Sequence, residues 1–171
     1  MSHFKDILKG DDRRSIGMAD QVVEHVNDQQ TFDELFREFY NTDRMVVMRA
    51  ADAIEKITLR KPDYLKTHKD DILMLCHRAE YIELKWHLAL LVSRLDLTKK
   101  EAANVWNTLT NWVTDKKESK IVRVNALQGL YNILQSNKEL TEDFRLILQE
   151  VERENIPSIN ARIRKLKNAG R

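Results

Sequence analysis

Cysteine, proline and glycine are scarce in this chain: one Cys, two Pro and four Gly among 171 residues. A lone Cys76 excludes an internal disulfide and any metal site built from several thiolates. Its place in the apolar run Ile-Leu-Met-Leu-Cys makes it a small buried hydrophobe rather than a nucleophile. With so little Pro and Gly to interrupt it, and with frequent Leu, Ala, Glu and Lys, the chain is expected to be all-helical with short connections. The formal net charge of +2 is too small to argue by itself for nucleic acid or an anionic membrane. No apolar stretch is long enough to span a bilayer, and residues 1–15 carry charge throughout without the apolar core of a signal peptide, so a cytoplasmic location is expected. The five histidines, His3, His25, His68, His77 and His87, are scattered without metal-ligand spacing. There is no Gly-rich phosphate loop and no Ser or Cys in a nucleophile setting, so no catalytic residue, metal or cofactor is expected.

What the chain does contain is a repeat. Val122, Ala126, Gly129, Leu130 and Ile133 stand at relative positions 0, 4, 7, 8 and 11, the spacing that gathers side chains on one face of an α-helix. Moving back 38 residues gives Leu84, Leu88, Leu91, Val92 and Leu95, and another 38 gives Val46, Ala50, Ala53, Ile54 and Ile57. Two helical patterns per period at a constant interval are the mark of an α-solenoid. The repeat also predicts that Gly129 is small because another helix approaches it closely.

Helices follow from the start and stop signals. Phe4, Ile7 and Leu8 suggest a short amphipathic turn closed near Gly10, and Asp11 and Asp12 can cap a helix over 13–26. That helix echoes residues 50–58 at an offset of 32, out of step with the later period, so 1–27 are read as a divergent capping unit. Thr31 and Glu34 form a capping box before Phe32, Leu35, Phe36 and Phe39, and Thr98 and Glu101 form another. Pro62 separates a helix over 44–59 from one over 64–78, and Pro157 opens the last helix. A single domain over 1–171 is expected, with helical pairs at 28–60, 61–96, 97–136 and 137–168.

Val122-Arg123-x-x-Ala126-Leu127-x-Gly129-Leu130, after a charged turn, resembles the second helix of a HEAT repeat, and Val46 to Ile57 resembles it too. The chain departs from the pattern at Val47 and Lys85, where Arg123 stands in the third repeat, and at Leu88 and Leu91, which are bulkier than alanine. The resemblance implies an all-α, right-handed superhelix of antiparallel helix pairs whose second helices line a concave face. It implies binding rather than a reaction. A minority of the family, bacterial HEAT-like alkylpurine DNA glycosylases, wrap DNA and excise damaged bases.

A helical wheel at about 100° per residue puts positions 2, 6 and 9 opposite the core. They read Met48, Asp52 and Glu55; Trp86, Leu90 and Ser93; Val124, Gln128 and Tyr131; and, in the last repeat, Ala161 and Lys165. Met48, Asp52, Trp86, Leu90, Val124, Gln128 and Tyr131 are the expected binding residues for a protein or peptide partner, because apolar groups on the open side of a helix mark an interaction surface or a packed one. The flank carries Arg49, Lys56, His87, Arg94 and Arg162, which together with Lys165 form the anion-binding set of the alternative, a nucleic-acid-binding or base-excision protein. Trp86 with Asp52 or Glu55 is the combination that could imitate a lesion pocket. From residue 156 to the end there are five cations and no acid, a distribution that also suits the helix dipole. A monomer without membrane contact is expected.

Overall fold

The computed structural model describes residues 3–9 and 16–169, and every regular element among them is helical, with no strand. The chain forms two compact units, Met1–His68 and Lys69–Arg171. Gly10, Asp11 and Asp12, expected to close the first turn and cap the second helix, lie outside the described residues.

In the first unit α1 (His3–Leu8), α2 (Ile16–His25) and α3 (Gln29–Phe36) gather around α4 (Arg44–Arg60). Short 3₁₀ segments, Arg37–Tyr40 and Pro62–His68, flank α4. Val46, Ala50, Ala53 and Ile54 are fully buried on α4, and Ile57 nearly so, as the repeat predicts. The expected capping box at Thr31 and Glu34 is not the one formed. Asp28 is the N-cap instead: its carboxylate accepts from the Thr31 amide at 2.8 Å, and the Thr31 hydroxyl accepts from the Asp28 amide at 3.3 Å. Starting the helix one turn earlier lets Gln29 donate to Asp33 at 2.7 Å and to the Tyr64 carbonyl at 3.1 Å.

The expected helix over 64–78 is also divided. Residues 62–68 take 3₁₀ geometry because side chains tie them to α3 and the turn before it. Tyr64 donates to the Asn27 carbonyl at 3.0 Å, while His68 stacks on Phe36 at 3.9 Å between ring centres and meets Asp33 at 2.6 Å. Such ties outweigh the small preference of a few residues for α over 3₁₀ geometry.

The second unit has two layers. Its outer helices are α5 (Lys69–Arg78), α7 (Lys99–Thr114) and α9 (Thr141–Glu152), and its inner helices are α6 (Ile82–Val92), α8 (Lys120–Ser136) and α10 (Pro157–Ala169). α8 is the hub, packing against α6, α7, α9 and α10. Val122, Ala126, Gly129, Leu130 and Ile133 are all buried, as are Leu84, Leu88, Leu91 and Val92; Leu95 falls beyond the end of α6 and is half-buried. Thr98 and Glu101 form the expected box, with Glu101 accepting from the Thr98 amide at 2.7 Å. At Gly129 an added Cβ would lie 2.5 Å from the Ala89 carbonyl oxygen and 2.9 Å from a Leu109 methyl, so the close approach expected from the repeat is backbone against backbone.

Position 1 of the repeat locks successive turns. Arg123 is 2% exposed, donates through Nε to the Val113 carbonyl at 2.7 Å, and clamps both oxygens of Glu154 at 2.9 and 2.7 Å. One repeat earlier Lys85 pairs with Glu118 at 2.6 Å beneath the Trp112 ring. In each case a cation at the start of an inner helix holds the acid in the turn before the next inner helix. The last turn closes with Asn155 at a φ of 54°, a left-handed conformation Asn tolerates, followed by Pro157 at the start of α10.

Candidate binding face

The outward side of the inner helices in the second unit is built by the same periodicity that builds the core. Where core positions point inward, positions 2, 6 and 9 are left at the surface, and Trp86, Leu90, Ser93, Val124, Gln128, Tyr131 and Ala161 are all half-buried there. Lys165 is exposed. Trp86 is thus neither core nor fully solvated: its ring meets His87 edge-on at 5.3 Å, and Tyr131 meets Phe144 at 6.2 Å.

Amide side chains stitch these helices together. Asn125 donates to the Trp86 carbonyl at 3.4 Å and Asn132 to the Ser93 hydroxyl at 3.0 Å, linking α8 to α6. Gln128 donates to Asn132 at 2.9 Å and accepts from Arg162 at 2.7 Å, linking α8 to α10. A hydrogen-bonded chain therefore runs from Ser93 through Asn132 and Gln128 to Arg162, across three inner helices. The wheel places these residues on one flank but does not reveal the chain, because the partners stand 34 and 39 residues apart.

In the first unit Met48, Asp52 and Glu55 are half-buried on α4, and Asp52 pairs with Lys56 at 3.0 Å. The expected basic flank is largely committed inside the protein. Arg49 is buried and donates to the Leu8 carbonyl; His87 is buried on α6; Lys56 also pairs with Asp20 at 2.9 Å. Arg94 is half-buried. Arg162 differs from these: its hydrogen-bond partner is the neutral Gln128, and burial lowers its guanidinium from its ordinary range.

Each unit also carries an open depression. One of about 540 Å³ lies between α5 and α7, with Cys76, His77, Asn104, Asn107 and Asn111 among its lining. Burial pushes the Cys76 thiol up to about 12, so it holds no thiolate at neutral pH. The other, about 550 Å³, lies between α2 and α4 and mixes Asp20 and Glu24 with Lys56, Arg60 and Lys61. No helix among the described residues is long and apolar enough to cross a membrane.

A family model described as HEAT repeat domain matches residues 8–169. No curated protein and no solved structure matches the chain.

Proposed function

The chain belongs to the HEAT repeat domain family, and from that premise we propose that it is a non-enzymatic scaffold that engages a protein or peptide partner on the outward side of its inner helices. HEAT repeats generally serve as protein-interaction scaffolds. The observation that carries the reading is the half-burial of Trp86, Leu90, Val124 and Tyr131 on α6 and α8, where an isolated surface helix would place charge. Gln128 supplies an amide among them. Met48 and Asp52 take the equivalent positions on α4 and are proposed as the corresponding face of the first unit by itself.

A large aromatic beside an aliphatic side chain is the kind of anchor that dominates protein interfaces. Leu90→Lys should leave helicity and the melting temperature nearly unchanged and abolish capture of the partner identified with the wild-type chain by mass spectrometry. Leu146→Lys, on the half-exposed outer side of α9, should retain it. Equal capture by both variants would place the contact elsewhere and sink the proposal. Trp86→Ala extends the test: its expected stability cost is well below the roughly 3 to 5 kcal/mol of a fully buried aromatic, with loss of capture.

A further inference from the structure

The inner layer of the second unit is poor in acids. α8 and α10 contain no Asp or Glu, and α6 contains only Glu83, whereas α9 on the outer side carries Glu142, Asp143, Glu150 and Glu152. Three inner-layer cations are answered by acids from elsewhere: Lys85 by Glu118, Arg123 by Glu154, Lys167 by Glu152. Of the rest, Lys120, Arg164 and Lys165 are exposed, whereas Arg162 is half-buried and has no carboxylate partner among the described residues. Its Nη1 donates to Gln128 Oε1 at 2.7 Å, which fixes the guanidinium at the end of the Ser93–Asn132–Gln128 chain. A guanidinium has five N–H donors, so most of the fork stays available for a planar bidentate acceptor. Lys165, one turn further along α10, is exposed and without an ion pair among the described residues.

We propose that Arg162 anchors a carboxylate side chain of an acidic peptide segment lying across α6, α8 and α10, with Lys165 as a second cation and Leu90 and Tyr131 contacting the segment's apolar residues. The inference rests on the scaffold reading above and names its partner class. Desolvation without a counter-charge disfavours the Arg162 cation, and an arriving carboxylate reverses that penalty. A peptide fits better than a nucleic acid. A phosphate backbone needs cations repeated along its path, whereas across α6 and α8 this face offers amides and apolar groups beside the two cations Arg162 and Lys165.

The test uses the full chain and two fluorescein-labelled decapeptides, one alternating Glu with Leu and the other Gln with Leu, with a ten-nucleotide oligo-dT as competitor. Fluorescence anisotropy at low salt should give about tenfold tighter binding of the Glu peptide, the scale of a charge-assisted hydrogen-bonded pair. Arg162→Gln, whose amide can still reach Gln128, should abolish that difference at an unchanged melting temperature, and Arg162→Lys should keep part of it. Equal affinity for the two peptides, both weakened by Leu90→Lys, would overturn the anchor while leaving the scaffold reading in place. Failure of both peptides to bind would overturn the anchor as well. Oligo-dT displacing the Glu peptide through Arg162 would overturn the peptide in favour of phosphate.

Discussion

At the scale of single residues, Gly129 marks a close approach between inner helices. Alanine there gains about 1 kcal/mol of helix propensity, yet its Cβ would meet the Ala89 carbonyl oxygen at 2.5 Å, a backbone atom that cannot turn aside. Overpacking of this kind costs about 1 to 3 kcal/mol, so Gly129→Ala should lower the melting temperature and Gly129→Leu should lower it further. A rise in calorimetry would show that α6 yields. Arg123 is the second such residue: removing a buried guanidinium strands Glu154, and Arg123→Ala should cost about 3 to 5 kcal/mol. The Arg123 hydrogen bond holds the Glu154 carboxyl below its ordinary 4.5. A carboxylate with a depressed native pKa contributes stability that is complete above its unfolded pKa and lost as pH falls through the native one. The melting-temperature difference between wild type and Glu154→Gln should therefore hold steady from pH 7 to about 5 and shrink below about 4.5; a difference that persists at lower pH would refute the linkage. Gly129 was legible from its place in the repeat, and Arg123 as part of the pattern that Val47 and Lys85 depart from, but nothing in sequence points to an acid 31 residues away.

At the scale of elements, the second helices were legible over nearly their whole length, because five apolar positions per helix repeat the same message. The first helices were less so. Thr31-x-x-Glu34 satisfies the capping-box pattern, but Asp28 three residues earlier satisfies the N-cap requirement better: extended backbone at φ −141°, ψ 174° and a carboxylate facing the Thr31 amide. Asp28→Ala should lower the urea midpoint by removing the cap on the Thr31 amide, and Glu34→Ala should leave it nearly unchanged. The reverse order would restore the box at Thr31. Residues 62–68 escaped the periodic reading for a related reason. Their 3₁₀ geometry is held by Tyr64 and His68 reaching residues 35 to 37 positions away, and no local pattern encodes that reach.

At the scale of the molecule, repeat proteins gather stability from neighbouring units, so the most enclosed helices open last. Hydrogen exchange should find α8 the slowest segment of the second unit, since α6, α7, α9 and α10 pack around it, and α4 the slowest of the first. Protection of α5 or α10 above α8 would contradict that order. The sequence by itself determined the helical class, the 38-residue period, the buried face of each inner helix and the family, because these depend on spacing along one chain and every repeat states them again. Tertiary structure alone decided which cations are spent and which remain. Arg49 and Arg162 hold the same position on a helical wheel, but one meets a carbonyl and the other a neutral amide, while Arg123, on another side of its helix, clamps a carboxylate. Charge is a property of the residue; its neutralisation depends on what folding brings within about 3 Å of it.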